Sequence, residues 1–204
     1  MNWPFISKEN PLFLASSSPR RKSLLRQIQL PFRPFPSRVT EDAIVQGDPA
    51  TRSRLLAEAK AKEVRTRTER TWILGADTMV VIEDLVLGKP RDGDDAAHML
   101  RQLSGSEHRV ITGFSLVDPS GRTAHSEAVI TWVRVKALTE GEIGAYVATG
   151  EPFGKAGGYA IQGIGSFMVE TIRGSYSNVV GLPLCALIKA LIGTKALEKF
   201  PFPA

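Results

Sequence analysis

The chain has 204 residues, 43% of them hydrophobic, with a formal net charge of +5 at neutral pH and one cysteine. That is enough apolar material for a full core, folded as one domain or as two small lobes. One cysteine excludes a disulfide framework and a cysteine-held zinc, and no apolar run approaches a membrane span, so a soluble cytoplasmic protein is expected.

Residues 11–15 read as a buried strand, and Pro19 to Gln29 as a helix whose apolar stripe is Leu24, Leu25 and Ile28. Between them stand Ser16-Ser17-Ser18-Pro19-Arg20-Arg21-Lys22. Ser18 is placed to cap the helix and Pro19 to open it, where its missing N–H costs nothing. Free backbone N–H groups, the positive end of the helix dipole, hydroxyls, Arg20 and Arg21 would then converge as a cradle for a phosphate chain. The alternative is an ordinary capped helix with solvated arginines.

Pro31, Pro34 and Pro36 force an extended segment that leads to Glu41-Asp42. Asp48-Pro49 opens a long helix with Leu55, Leu56, Ala59 and Lys62 in its pattern. Its basic residues alternate with Glu58, Glu63 and Glu69, which reads as a solvated face rather than a binding stripe. Residues 72–76 form a strand that runs into Asp77-Thr78, continues through Ile82 and turns back as a hairpin over 86–90. A helix starting at Asp92 to Asp95 can end on a left-handed Gly105. Two longer strands follow, 109–117 and 128–135, and Thr139 with Glu142 forms a capping box for a helix over 140–148. A glycine-rich stretch from Gly150 to Gly165 leads to a strand at 167–169, a loop ending in Gly181-Leu182-Pro183, and an apolar helix over 184–192. Cys185 falls within that apolar run and reads as a core residue. The pattern is α/β, or mixed α+β: a mixed sheet domain with flanking helices, open to a cleft between two lobes.

Four polar clusters stand out. Besides the serine–arginine helix start, Glu41-Asp42 pairs two carboxylates, with Asp42 read as solvated. Gly75-Ala76-Asp77-Thr78 drops a carboxylate into an apolar strand, where something must compensate for it. A partner arginine would be the structural explanation, a metal or an activated water the functional one. Lys155-Ala156-Gly157-Gly158-Tyr159 with Ile161-Gln162-Gly163 lets backbone approach a ligand, with Lys155 offering charge and Gln162 a two-way amide. A plain glycine turn with a surface lysine is the alternative. Lys60, on a helix, is expected to be solvated. Lys89, held extended before Pro90, suits a lysine that must point somewhere definite. His98 and His108 read as surface or packing residues.

Together these clusters resemble the Maf family, nucleoside-triphosphate pyrophosphatases first linked to septum formation. The resemblance runs from Leu12 to about Leu191. It rests on the order and spacing of Leu-Ala-Ser-Ser-Ser-Pro-Arg-Arg (14–21), Leu-Ala-Glu-Ala-Lys-Ala (56–61), Gly-Ala-Asp-Thr (75–78), Gly-Lys-Pro (88–90), Val-Ile-Thr-Gly (110–113), Lys-Ala-Gly-Gly-Tyr (155–159), Ile-Gln-Gly (161–163) and Val-Val-Gly-Leu-Pro (179–183). It implies a single domain over 1–204, a twisted mixed sheet with flanking helices split by a central cleft between two lobes, similar to the inosine-triphosphate pyrophosphatases, and a homodimer. It also implies hydrolysis of dTTP and UTP to the monophosphate and pyrophosphate, with Arg20, Thr78 and Gln162 at the specificity positions.

On that reading Ser16, Arg20, Arg21, Lys60, Lys89 and Lys155 face the substrate, and Asp77 is the candidate general base, with Lys89 beside it in the catalytic set. Asp77 and Glu41 would hold a divalent cation, Mg2+ or Mn2+. Gln162 and Thr78 would select pyrimidines, because an amide can serve both a ring carbonyl and N3–H of uracil or thymine. One departure stands out: the family's Glu-Pro-x-Asp-Lys-Ala-Gly is here Glu151-Pro152-Phe153-Gly154-Lys155-Ala156-Gly157. Losing that carboxylate implies a weaker hold on Mg2+ and reduced activity, unless a nearby acid such as Glu151 substitutes. A catalytically dead nucleotide binder is therefore one alternative. A basic nucleic-acid-binding protein is another, distinguishable by a steep salt dependence.

Overall fold

The structure is a computed structural model, and it describes residues 3–40, 47–68 and 70–201. Glu41 and Asp42, candidates from the sequence, lie outside the described residues.

The described residues form one mixed sheet of seven strands: β1 (Leu12–Leu14), β2 (Phe32–Pro34), β3 (Ile73–Ile82), β4 (Leu85–Leu87), β5 (Glu107–Val117), β6 (Thr123–Val135) and β7 (Val169–Arg173). The order is β2-β1-β3-β5-β6-β7, with β4 paired to β3. β1 runs parallel to β2 and β3, whereas β4 is antiparallel to β3 and β7 to β6. Six helices accompany it: α1 (Pro19–Gln27), α2 (Pro49–Arg65), α3 (Gly93–Leu103), α4 (Glu140–Ala148), α5 (Tyr176–Val180) and α6 (Leu184–Gly193). The mixed α/β class expected from the sequence is the class observed.

The chain divides into two compact units. The first comprises Met1–Asp77, Thr112–Val129 and Gly181–Ala204. In it α2 lies backbone to backbone on the sheet. A Cβ on Gly75 of β3 would sit 1.9 Å from the Ala57 carbonyl oxygen, and one on Gly113 of β5 would sit 2.3 Å from the Ser53 carbonyl carbon. The buried face of α2 is Ser53, Leu56, Ala57, Lys60, Ala61 and Val64. The sequence pattern through Leu55, Ala59 and Lys62 was therefore out of phase. So close an approach selects small residues for the contact, and Ser53, Ala57 and Ala61 supply them, so bulk rather than hydrophobicity sets which face turns inward. Ala15, Ala61, Val64, Ile73 and Val117 pack together there, with Phe13 and Phe35 against them.

The second unit comprises Thr78–Ile111 and Ile130–Val180. Its core joins Val80, Val110, Val133 and Val135 of the strands to Met99, Leu100 and Leu103 of α3 and Ile143 and Tyr146 of α4. Both hydrogen bonds of the capping box at Thr139 and Glu142 are made, and Gly105 adopts φ +68° just past α3. Three expectations are corrected. β6 begins at Thr123 rather than 128. The strand expected at 167–169 is a 3-10 turn through Met168, with β7 following it. The segment 176–180 is a short helix whose start is capped by Ser175 Oγ accepting from Asn178 N at 3.3 Å. In the first unit Cys185 is exposed, not core: two residues before buried Leu187, it falls on the opposite side of α6.

His98 is exposed, whereas His108 is 1% exposed and shares a 2.7 Å hydrogen bond between Nε2 and the Tyr159 hydroxyl. Its Nδ1 has no partner among the described residues. Burial pulls the imidazole down from 6.5 to about 4. Between those values the unfolded chain binds a proton that the native chain refuses, so stability falls as pH drops through this window. The expected loss is about 2 kcal/mol between neutral pH and pH 5. Urea midpoints across that range should show it in the parent and lose most of it in His108→Gln. An unchanged slope in the variant would assign the acid sensitivity to other groups.

Candidate functional site

In the first unit, β1 and β3 are parallel neighbours with Leu14 in register with Leu74, so Ser16 and Asp77 both lie just beyond that matched pair. The carboxyl ends of parallel strands are where α/β sheets place ligands, because loops and helix starts gather there. α1 starts as expected: Ser18 is its cap, its hydroxyl accepting from Arg21 N at 3.4 Å, and Pro19 is its first residue. Ser16 Oγ accepts from Ser18 N at 3.2 Å and from Arg21 Nη1 at 3.1 Å, and Arg21 Nε donates to the Gly181 carbonyl at 2.9 Å. Arg21 thus ties the helix start to the loop before α6, while Arg20 stands half-buried beside it on the same turn.

Asp77 is 6% exposed, and its Oδ1 accepts from Lys60 Nζ at 2.6 Å; Lys60 is itself 9% exposed. The compensation that a mid-strand carboxylate requires is therefore a lysine from α2, not an arginine. Gly75 makes it reachable, because without its bare backbone α2 could not approach β3 closely enough for Lys60 to meet Asp77. Lys60 is not the solvated residue the sequence suggested. A lysine and an aspartate buried together give a charged, oriented pair in a low-dielectric setting, where each charge acts more strongly than in water.

In the second unit, Thr78 is half-buried on β3, Lys89 is exposed and Gln162 is exposed. Gly157 N donates to the Gly88 carbonyl at 2.9 Å, which sets the Gly88-Lys89-Pro90 segment beside the glycine turn at 156–158. Gly157 has φ +72°, and a Cβ there would come 2.9 Å from Val80 Cγ1, so the turn is pressed onto β3 two residues beyond Thr78. Half-buried Lys155 donates from Nζ to the Glu151 carbonyl. The first unit thus brings Ser16 together with Arg21 and Lys60 with Asp77, and the second sets the Lys89 segment against the Lys155 turn.

Gly154 has φ +73° and nothing within 4 Å of a Cβ. Glu151, the acid suggested as its replacement, is half-buried. Its carboxylate is engaged by the backbone, Oε1 accepting from Ile164 N at 3.2 Å and Oε2 from Gly165 N at 2.8 Å. Sequence reasoning also missed His108 and Tyr159 as a buried pair; the signal available was a histidine placed in an alternating strand pattern.

Residues 11–194 match the family described as Maf-like protein. A Ruminiclostridium cellulolyticum protein named dTTP/UTP pyrophosphatase is 49% identical over 174 residues, 85% of this chain and 90% of its own length. Proteins of the same name from Geobacter metallireducens and Geotalea uraniireducens are 48% and 46% identical, covering 91% and 95% of this chain and 97% and 100% of their own. A Mycobacterium abscessus dITP/XTP pyrophosphatase structure is 16% identical with a TM-score of 0.43, covering 63% of this chain and 75% of its own, a likeness that carries no argument. A family match that spans the Lys60–Asp77 pair and the glycine turn, with relatives 46–49% identical over 85–95% of the chain, leaves one conclusion: this chain belongs to the Maf-like protein family.

Proposed function

We propose that the chain hydrolyses nucleoside triphosphates to the monophosphate and pyrophosphate, with dTTP and UTP favoured. The observation that carries this reading is the buried Lys60–Asp77 pair, a charged couple at the end of the β1–β3 register beside a capped helix start. The names of the relatives support the substrate class. On this reading Arg20, Arg21 and Lys89 hold the phosphates, with Ser16 and the start of α1 as neutral donors. Lys60 holds Asp77 by one oxygen and fixes its orientation. Asp77 accepts a proton from a water that attacks the α-phosphorus. A new P–O bond forms as the bond to the α,β-bridging oxygen breaks, and pyrophosphate leaves.

The donor chemistry fits a divalent cation bound in the way Mg2+ usually is, by one or two carboxylates plus substrate phosphates. Asp77 would be one ligand and Glu41 the other, and among the described residues no group of three acids, histidines or cysteines forms a larger cage. When bound, Mg2+ or Mn2+ supplies charge neutralisation at the phosphates. Thr78 and Gln162 select the base. The protein is taken as a homodimer on the family resemblance, as cytoplasmic on its composition, and as acting on free nucleotides rather than nucleic acid because acids interleave with the bases along α2. Among the described residues, no helix is long and apolar enough to cross a membrane.

The test is pyrophosphate release from dTTP, UTP, CTP and GTP, with and without Mg2+ or Mn2+. Release from dTTP and UTP should exceed that from CTP and GTP by about tenfold or more, the factor given by one lost hydrogen bond of about 1.4 kcal/mol. Equal rates on all four would remove the pyrimidine part. Failure to release pyrophosphate from any of them would remove the hydrolytic reading.

A further inference from the structure

The segment from Tyr159 to Gly165 carries Gln162 exposed near its middle, and side chains from outside the segment grip it on both flanks. Before Gln162, the Tyr159 hydroxyl is bonded to His108 Nε2 at 2.7 Å, and Ala160 N donates to the Tyr146 hydroxyl at 3.2 Å. After it, the two oxygens of Glu151 separately take the Ile164 and Gly165 amides. The fit leaves no slack. A Cβ on Gly163, which has φ +81°, would fall 2.1 Å from Glu151 Oε1, and one on Gly165 would fall 2.5 Å from the Ala160 carbonyl oxygen. Gln162 is thus suspended between an anchor two residues before it and another two residues after it. The later anchor is the stronger by chemistry, because a carboxylate accepting backbone N–H bonds makes charge-assisted hydrogen bonds.

We propose that Glu151 is a positioning residue for substrate selection: by fixing the turn at 163–165 it sets how Gln162 presents its amide to the pyrimidine. The inference rests on the reading of Gln162 as the base-selecting residue and deepens it. It gives Glu151 a role distinct from that of a phosphate-side acid standing in for the carboxylate absent at Gly154. Both oxygens of this carboxylate are drawn onto backbone amides of the base-side loop, which ties the group to that loop. Gly163 follows as its complement, since any side chain there would displace the carboxylate.

Glu151→Gln separates these roles. Glutamine keeps one acceptor oxygen, so one of the two amides loses its partner and the turn loosens; it also removes one negative charge, which Gly163→Ala leaves in place. The ratio of kcat/KM for UTP over CTP should fall about tenfold, chiefly through a raised KM for UTP with kcat held within about threefold. Deuterium uptake of a 160–168 peptide should rise in parallel. Gly163→Ala, which keeps the carboxylate and displaces it sterically, should lower the same ratio and keeps the idea testable if Glu151→Gln folds poorly. A ratio within twofold of the parent in either folded variant would overturn the proposal. So would a uniform fall of kcat on every nucleotide, which is the signature of an acid at the phosphates. Parent protein that shows no preference for UTP over CTP would instead overturn the base-reading role of Gln162 and the present inference with it, and that failure is visible before any variant is made.

Discussion

Asp77→Asn should lower turnover on UTP by a factor on the order of 10² to 10⁴, the usual contribution of a positioned general base, while nucleotide still binds. Loss of a base also predicts that kcat falls more than KM changes, since the missing interaction belongs to the transition state. The Lys60 contact adds a second, separable effect. Asparagine keeps an oxygen for Lys60 Nζ but removes its counter-charge, so a lysine only 9% exposed is left with no other anion among the described residues. The native state should lose about 1–3 kcal/mol, the scale of an impaired hydrogen bond to a buried charged group. Lys60→Met combined with Asp77→Asn removes both charges and should recover much of that stability without recovering turnover. Retention of more than about a tenth of parental turnover by Asp77→Asn would rule out the base assignment. Recovery of turnover in the double variant would make the pair structural.

What the sequence disclosed, and what it hid, divides along the range of the forces involved. The Ser18-Pro19 helix start and the Thr139–Glu142 box were legible because each is settled by groups three residues apart. Asp77 was legible as a conflict, a carboxylate in an apolar strand, but its partner was not. Lys60 faces inward because Gly75 and Gly113 draw α2 onto the sheet, and nothing local to α2 records those two glycines. The same holds for Glu151: its spacing from Ile164 and Gly165 is 13 and 14 residues, beyond any helix or turn rule. Cys185 was misplaced for a smaller reason. The run 184–188 is apolar throughout, so composition could not say which side of α6 faced the core, whereas phase relative to Leu187 does. The strand at 167–169 was misread because Val169 alone of those residues joins β7, the two before it closing a 3-10 turn.

Gly75→Ala should be among the most damaging single-methyl changes available in this chain, and Gly144→Ala among the mildest. At Gly75 the new Cβ would meet the Ala57 carbonyl oxygen at 1.9 Å, its carbon at 2.9 Å and Ala61 N at 3.0 Å. All three are backbone atoms of a regular helix, so no side chain can swing aside; α2 must lift from β3. Overpacking of a closed core costs about 1–3 kcal/mol and more where the neighbour is rigid, so a loss near or above 3 kcal/mol is expected. For a chain of this size that corresponds to a fall in Tm of about 6–12 °C. Gly144 is exposed in the middle of α4 with nothing within 4 Å of a Cβ, and there the same methyl should add about 1 kcal/mol by removing glycine's entropic penalty. The lifted helix also carries Lys60 away from Asp77, so Gly75→Ala should lose turnover together with stability, whereas Gly144→Ala should leave turnover untouched. If Gly75→Ala kept parental Tm and turnover, the contact between α2 and β3 would not be what holds Lys60 against Asp77, and the charged pair would need another cause.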